Sequence, residues 1–349
     1  MNSTDLSRYD YRLPESLIAR RPASVRDRSK LFVYDAATDS ISFDEFRNIA
    51  QYLPAKTLLV LNETKVVPAR ITLFKQTGGK VIALLLVNEW QTGNMLKALV
   101  DREVHVGDIL RADARYIFVV VRQEGKVFFL KPNVSREVLI RFLSSAGETP
   151  IPKYLAGGGM SERVLRERYQ SVFAKRAASV AAPTASLHFT PKVFRELEKR
   201  RIGNTRITLH VGMGTFAPFG ERELRRKKLF TEYYEISLAA ARRINTQKKS
   251  GHPIIAVGTT ATRALESAAR TGVLQAGKKD TDIFIYPPYQ FHIIDGLITN
   301  FHLPQSSLML LADALLQYKK AKRSITDLYK IAIRKKFRFY SFGDAMLIR

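Results

Sequence analysis

The sequence predicts a mixed α/β fold in which a larger α/β domain is interrupted by a small all-β barrel domain. The chain has 349 residues, enough for two domains. Strand-like runs separated by glycine turns fill the stretch 70–130, whereas strands alternate with helices after Ser161. We therefore expect a discontinuous α/β domain at 1–68 and 151–349, with the barrel inserted at 69–150.

The first half of the chain is typical of short strands. Apolar runs at 31–34 and 58–61 predict two strands, the second of them buried. The predicted barrel strands are 71–74, 80–87, 95–99, 117–121 and 127–130, with Gly-bearing turns at 77–79, 106–108 and 124–126. Short strands at this spacing indicate a small barrel or sandwich, and Pro150, Pro152 and the glycines at 157–159 mark its end.

The second half predicts helices that follow strands. The expected helices begin after Thr190 with Pro191 in first position, after Ser237, at Thr259 and Thr260, and at Ser306 or Ser307; they stop at Gly203, Gly251, Gly272 and Tyr318. The expected strands between them are 206–209, 253–257 and 283–286. This alternation indicates a sheet whose strands are at least partly parallel.

The chain is strongly basic. It has 57 Lys and Arg residues against 32 Asp and Glu residues, a formal net charge of +25. The cations cluster at 20–30, 195–201, 222–228, 242–249, 319–323 and 334–338. A single cluster of this kind is more often a solvated helix face, but the whole set indicates a binding partner with a phosphate backbone. Nucleic acid is preferred over a membrane because no basic run adjoins an apolar helix face.

Features that the sequence lacks disfavour several classes of protein. Without cysteine there is no disulfide, thiolate metal site or cysteine nucleophile. No apolar run approaches the roughly 18 residues of a membrane span, and residues 1–10 do not resemble a secretion signal. Neither a three-glycine dinucleotide fingerprint nor a Walker loop occurs. We expect a cytoplasmic monomer without membrane contact and without a bound metal.

Three uncharged segments, 179–190, 208–220 and 296–312, each contain one histidine: His188, His210 and His302. Histidine exchanges its proton near neutral pH, so these three are candidates for acid–base chemistry. A lone histidine among apolar residues is more often a hydrogen-bonded core residue, and no pair has metal-site spacing. The glycines and the threonine that follow His210 permit close approach of a ligand or form a tight turn: Gly212, Gly214 and Thr215.

The helix start at Thr259 and Thr260 is a second candidate site. It follows a buried strand and Gly258, and the backbone N–H groups and helix dipole there can hold a carboxylate or phosphate. Arg263 and Glu266 lie three residues apart on this helix. They can therefore reach such a ligand or pair with each other.

These segments together resemble the S-adenosylmethionine:tRNA ribosyltransferase-isomerases of queuosine biosynthesis. The most distinctive match is Asp295-Gly296-Leu297-Ile298-Thr299-Asn300-Phe301-His302-Leu303-Pro304. The other matches, in the family's order, lie within 9–14, 61–70, 179–190, 210–216, 256–267 and 341–348. The resemblance covers nearly the whole chain and implies an α/β domain interrupted by a small β-barrel, in agreement with the strand pattern.

The resemblance also implies a reaction. Ribose from S-adenosylmethionine, a co-substrate, is transferred and isomerised onto 7-aminomethyl-7-deazaguanine at the wobble position of a tRNA with a GUN anticodon. The products are epoxyqueuosine-tRNA, adenine and methionine, and no metal is needed. Such chemistry requires a base for the carbon beside the sulfonium, help for the departing adenine, and a neutral amine held at the anomeric carbon.

Roles for individual residues follow from the matching positions. The expected catalytic residues are His188 or His210 as the base, with the other orienting it, and Glu232. Thr259 and Thr260 are expected to hold the methionine carboxylate. Arg263 or Glu266 is expected to hold other polar groups of methionine or ribose, and Phe301 and His302 are expected to line the pocket of adenine or deazaguanine. The remaining expected co-substrate contacts are Gly212, Gly214 and Thr215. The cation clusters are expected to bind the anticodon stem-loop.

One segment departs from the family pattern. Where His-x-Met-His-Ser-Glu is usual, this chain has Lys227-Lys228-Leu229-Phe230-Thr231-Glu232, so both histidines are absent and the glutamate is present. Two alternative functions are an S-adenosylmethionine-dependent tRNA methyltransferase and a non-catalytic tRNA-binding relative. The missing glycine fingerprint argues against the first, and the uncharged segments argue against the second.

Overall fold

The computed structural model describes residues 6–91, 93–155, 158–215, 219–269 and 272–349. The strands are β1 (Lys30–Asp35), β2 (Ser40–Glu45), β3 (Leu58–Asn62), β4 (Thr64–Val66), β5 (Arg70–Lys75), β6 (Lys80–Gln91), β7 (Met95–Val100), β8 (Ile109–Arg111), β9 (Ile117–Glu124), β10 (Val127–Pro132), β11 (Arg176–Ser179), β12 (Gly203–His210), β13 (Lys228–Ile236), β14 (Ile254–Val257), β15 (Gly277–Ile283), β16 (Gly296–Asn300) and β17 (Ala345–Ile348).

Two kinds of helix connect these strands. The α-helices are α1 (Arg136–Ala146), α2 (Glu162–Arg168), α3 (Pro191–Lys199), α4 (Glu221–Arg226), α5 (Leu238–Lys249), α6 (Thr259–Ala268), α7 (Ser307–Tyr318) and α8 (Ile325–Arg334). Short 3-10 helices lie at Leu6–Tyr9, Glu15–Leu17, Arg26–Arg28, Phe46–Gln51, Lys153–Leu155, Thr184–His188 and Met213–Thr215. Within the described ranges, no helix is long and apolar enough to cross a bilayer.

A large mixed sheet forms the centre of the molecule, with the strand order β15-β13-β12-β3-β14-β16-β17-β1-β2. Strands β12, β3, β14 and β16 run parallel to one another, and β17 runs antiparallel to β16. Every residue of β3, β14 and β16 is buried, as expected for parallel strands covered on both faces. The predicted α/β fold with partly parallel strands is confirmed.

Side chains on alternate strand positions supply the two faces of this sheet. Val60 and Ala256 belong to a core shared with α5, α6, α7 and α8. Leu59 and Leu61 belong to a core shared with α3 and with the 3-10 helix Phe46–Gln51. The period of two along each strand thus sends neighbouring residues into different cores.

The predicted barrel is confirmed as a closed, antiparallel barrel in the order β10-β7-β6-β5-β8-β9. It has its own apolar core, against which Leu139 and Leu143 of α1 pack. The strand β8 was missed because it has three residues and buries only Leu110. The expected domain boundaries stay a prediction: an α/β domain at 1–68 and 151–349, and an inserted barrel domain at 69–150.

The predicted helix caps are confirmed. The side chains of Thr190, Ser237 and Ser306 each accept a backbone N–H of the first turn of the following helix. Helix α3 nevertheless ends at Lys199 rather than Gly203, because Gly203 is the first residue of β12, which pairs with β3.

The predicted strand at 283–286 is wrong. The strand β15 precedes it and ends at Ile283, and its residues 278–280 are exposed Lys, Lys and Asp. Backbone pairing with β13 places this charged segment at the edge of the sheet, so hydrophobic periodicity did not reveal it. The apolar residues Phe284 and Tyr286 instead pack on each other, with ring centroids 4.6 Å apart.

We predict that Gly147→Ala destabilises the junction between α1 and the strand entering the barrel. A Cβ at Gly147 would lie 1.8 Å from the Pro68 carbonyl oxygen, which is backbone and cannot move aside. The free energy of unfolding, measured by denaturant titration, should fall by about 1 to 3 kcal/mol. In the control Gly79→Ala, the added Cβ comes no nearer than 3.7 Å to another atom, so equal losses in both variants would contradict this explanation.

Candidate active site

A cavity of about 440 Å³ lies at the carboxyl ends of the parallel strands β12, β14 and β16. In open α/β sheets ligands bind at this edge, and the volume lies in the usual range of about 300 to 1,000 Å³. The lining residues come from the ends of these strands and the loops after them, from β13, from the start of α6, from the 3-10 helix Thr184–His188 and from the segment before β17. Among them are Thr184, Val211, Gly214, Phe230, Glu232, Thr259, Thr260, Arg263, Asn300, Phe301, His302, Tyr340 and Ser341.

The start of α6 forms one wall of the cavity. Gly258 has a φ of 89°, which favours glycine and lets β14 turn directly into the helix. Thr259 and Thr260 line the cavity, and Thr260 Oγ1 accepts a hydrogen bond of 3.2 Å from Asn62. The N–H groups of the first helical turn have no acceptor within the helix, so this wall suits an anionic group.

A buried ion pair forms a second wall. Arg263 donates from Nε and Nη2 to Glu232 Oε2 over 3.0 and 2.5 Å, and both residues line the cavity. Their side chains are 8% and 7% exposed, so the charges are largely withdrawn from water. As far as the chain is described, Glu232 Oε1 has no partner, which leaves one carboxylate oxygen free for a ligand.

Glu266 does not line the cavity. Its carboxylate is fully buried and accepts the backbone N–H groups of His292, Ile293 and Ile294 over 2.8, 3.1 and 3.2 Å. Burial raises the pKa of Glu266 above its usual value, against the opposing effect of these N–H donors. Glu266 therefore neither pairs with Arg263 nor shares a ligand contact with it. Its carboxylate instead holds the loop before β16 in place.

The cavity includes only one of the three candidate histidines, His302. Its Nε2 lies 2.8 Å from Thr299 Oγ1, and its backbone N–H donates to the Tyr329 hydroxyl over 3.0 Å. Burial lowers its pKa to about 3, so the ring is neutral near pH 7.

His188 lies behind the cavity wall. Its Nδ1 is 2.7 Å from Ser29 Oγ, and its Nε2 is 3.3 Å from Asn300 Nδ2. Burial lowers the pKa of His188 to about 4. Asn300 stands between this ring and the cavity, so His188 reaches a ligand only through Asn300.

His210 faces away from the cavity. Its Nδ1 lies 2.7 Å from Thr64 Oγ1, and its ring is parallel to that of Tyr233, with centroids 6.0 Å apart. Burial first, and then the positive charges of Arg136 and Arg176, lower its pKa to about 4. Successive residues of an extended chain point to opposite sides. Because Val211 lines the cavity, its neighbour His210 does not.

The glycines predicted to approach a ligand have separate roles. Gly214 lines the cavity, and a Cβ there would lie 3.5 Å from the Phe230 ring. Gly212 instead meets the barrel, because a Cβ there would lie 2.6 Å from Asn88 Nδ2 of β6. The side chain of Thr215 lies outside the described part of the chain.

Phe301 contributes to the floor of the cavity as a member of a buried aromatic cluster. It is fully buried, and its ring centroid lies 4.9 Å from that of Phe339 and 5.3 Å from that of Tyr329. Phe301 therefore packs mainly against other aromatic side chains of the protein and not against the ring of a ligand.

Sequence reasoning missed several lining residues. The hydroxyl groups of Tyr154 and Ser341 are hydrogen-bonded to each other, and the Tyr154 and Tyr340 rings lie 4.7 Å apart. Thr184, Asn300 and Ser341 lie in segments that match the family, so the signal was present but did not distinguish lining residues from their neighbours. Tyr340 gave no such signal. Across the described residues, no group of three or more His, Asp or Glu side chains is placed to hold a metal ion.

Comparison with known proteins places this chain in a family. Residues 6–348 match the family model described as queuosine biosynthesis protein. A Carboxydothermus hydrogenoformans protein named S-adenosylmethionine:tRNA ribosyltransferase-isomerase is 41% identical, covering 98% of this chain and 99% of the relative. A Legionella pneumophila protein of the same name is 40% identical over the full length of both chains.

A solved structure agrees with these sequence relatives. The crystal structure of S-adenosylmethionine tRNA ribosyltransferase from Thermotoga maritima is 30% identical and covers 98% of this chain and 99% of that one, with a TM-score of 0.54. The similarity thus extends over the sheet, the barrel and the cavity together. The chain belongs to the queuosine biosynthesis protein family.

Proposed function

We propose that this chain is an S-adenosylmethionine:tRNA ribosyltransferase-isomerase and that the cavity at the carboxyl edge of the sheet is its active site. The observation that carries this conclusion is the buried Glu232–Arg263 pair facing a ligand-sized cavity, in a chain that matches the family over residues 6–348. The reaction transfers the ribosyl part of S-adenosylmethionine to tRNA and isomerises it, as one step of queuosine biosynthesis.

The substrates proposed in detail are S-adenosylmethionine and 7-aminomethyl-7-deazaguanine at the wobble position of a tRNA with a GUN anticodon. The products are epoxyqueuosine-tRNA, adenine and methionine. We further propose that the protein acts as a monomer in the cytoplasm.

S-Adenosylmethionine carries a carboxylate, an ammonium group and a sulfonium, so its site needs both signs of charge. We assign the carboxylate to the start of α6 at Thr259 and Thr260, where the N–H groups and the helix dipole favour an anion. The negative charge of Glu232 suits the sulfonium, while Arg263 holds this carboxylate in place.

Glu232 is also the best-placed base. Glu232 lines the cavity, and a carboxylate can take the proton from the 5′ carbon beside the sulfonium once the substrate is bound. The expectation that His188 or His210 is this base stays a prediction. The positions of these two rings disfavour it, because Asn300 and the strand β12 separate them from the cavity.

The cation cluster at 222–228 is the proposed contact for the tRNA backbone. Arg222, Arg226 and Lys227 are exposed and, within the described ranges, have no carboxylate partner. Glu223 within this cluster, and Leu229 and Phe230 directly after it, line the cavity. A phosphate bound by these cations would therefore lie close to the cavity mouth.

The reaction itself is tested by incubating the purified chain with S-adenosylmethionine and tRNA that contains the deazaguanine. Release of free adenine and methionine is expected. S-Adenosylhomocysteine would indicate a methyltransferase instead, and the absence of any product would leave a non-catalytic tRNA-binding protein.

We predict that Glu232→Gln lowers kcat by about 100-fold to 10,000-fold, the usual range for loss of a general base. The affinity for S-adenosylmethionine should also fall, because the neutral glutamine no longer attracts the sulfonium, so kcat is measured at saturating S-adenosylmethionine. The control is Glu235→Gln on the same strand, whose side chain points to the opposite face and lies 3.8 Å from Lys278 Nζ. Turnover of Glu232→Gln within tenfold of the wild type would exclude Glu232 as the base.

We predict that the double variant Arg222→Ala/Arg226→Ala weakens tRNA binding and reduces its salt dependence. The slope of log affinity against log salt should fall by roughly 0.7 to 0.9 for each phosphate that the variant no longer neutralises. The control, Arg102→Ala/Lys126→Ala, removes two exposed cations that lie outside the cation clusters. The proposed surface is wrong if both double variants have the wild-type slope.

A further inference from the structure

A chain of side-chain hydrogen bonds runs from the cavity wall into the protein. Thr184 Oγ1 lies 2.8 Å from Asn300 Oδ1, Asn300 Nδ2 lies 3.3 Å from His188 Nε2, and His188 Nδ1 lies 2.7 Å from Ser29 Oγ. Ser29 Oγ lies 3.1 Å from the Arg26 carbonyl oxygen. Ser29, His188 and Asn300 are at most 5% exposed, so water does not compete for these bonds.

The carbonyl of Arg26 sets the direction of the whole chain, because a carbonyl oxygen only accepts. The Ser29 hydroxyl therefore donates to Arg26, and its oxygen accepts the proton of His188 Nδ1. The bare Nε2 of His188 then accepts an N–H of Asn300, which turns the amide oxygen towards Thr184. Thr184 must donate its single hydroxyl proton to Asn300. Burial keeps His188 neutral, as this order requires.

Thr184 consequently faces the cavity as an acceptor only. Its side chain is half-buried and lines the cavity, while its one proton is directed at Asn300. The adjacent Ala185 lies 3.8 Å from the position of a Cβ on Gly258, so this acceptor is next to the start of α6. The wall thus places a hydrogen-bond acceptor beside the site assigned to a carboxylate. An α-amino acid needs this arrangement, because its ammonium group donates hydrogen bonds and lies next to its carboxylate.

We propose that Thr184 accepts a hydrogen bond from the α-ammonium group of S-adenosylmethionine, and that His188 is a positioning residue that fixes this polarity through Asn300. The inference rests on the proposed function, since it names the part of the substrate that this wall binds. It assigns His188 no proton transfer with the substrate. A ring that protonated or changed tautomer would turn the Asn300 amide and give Thr184 a proton to donate.

The test is calorimetric titration of S-adenosylmethionine into the protein without tRNA, so that binding is measured apart from the reaction. Thr184→Val keeps the shape of the side chain and removes the acceptor. The dissociation constant should rise about tenfold or more, the usual cost of a hydrogen bond to a charged group. An S-adenosyl analogue that lacks the α-amino group should bind Thr184→Val and the wild type equally.

The role of His188 is tested with two substitutions. His188→Phe removes the acceptor for Asn300 and should weaken S-adenosylmethionine binding to a similar extent, with little effect on the analogue. His188→Gln can accept the same N–H through Oε1 and should restore most of the affinity. Thermal unfolding of each variant identifies any that fail to fold, in which case Thr184→Val with the two ligands still decides the ammonium contact.

Three outcomes would overturn the inference. Thr184→Val could bind S-adenosylmethionine as the wild type does, or it could lose affinity equally for the analogue. Loss of turnover in both His188 variants with unchanged affinity would show that His188 acts in the chemistry. Adenine release by the wild-type protein separates these results from a failure of the proposed function, because a wild type that releases no adenine contradicts the function itself.

Discussion

The side chain of Asn62 is the contact on which the arrangement of the cavity depends. At the end of β3 it accepts the N–H groups of Leu209 and Thr64 over 3.0 and 3.1 Å, and it donates to the Leu209 carbonyl and Thr260 Oγ1 over 2.9 and 3.2 Å. It is fully buried, so breaking any of these bonds would leave a polar group unpaired in the interior. One amide therefore ties together β12, the chain entering the barrel and the start of α6.

Burial gives this site its chemical character. The three histidines in the uncharged segments are neutral because desolvation disfavours the imidazolium ion and lowers each pKa, and the buried charges that face the cavity belong to the Glu232–Arg263 pair. The surplus of cations stays on exposed segments such as 222–228. The site proposed for the sulfonium substrate is therefore buried, whereas the surface proposed for tRNA is exposed and basic.

Much of the fold was predictable because it depends on local patterns. Apolar runs located about half of the described strands. Thr190, Ser237 and Ser306 marked helix starts, because their side chains accept hydrogen bonds from the first turn. The edge strand β15 was misplaced, and β2, β4, β8, β11, β13, β16 and β17 were not predicted. Backbone pairing holds a charged segment or a three-residue segment in a sheet as well as an apolar one. Those pairings join residues far apart in the sequence, and no local pattern reports them.

By itself the sequence determined the family, the α/β fold with its barrel, and the segments that surround the cavity, because residue types and their spacing are properties of the linear chain. Only the tertiary structure decided which side chains within these segments face a ligand. Val211 and Glu232 line the cavity, whereas His210 does not, because successive residues of an extended strand point to opposite sides. His188 and Glu266 lie in equally suggestive segments, yet both bond to protein groups that the fold brings from distant parts of the chain.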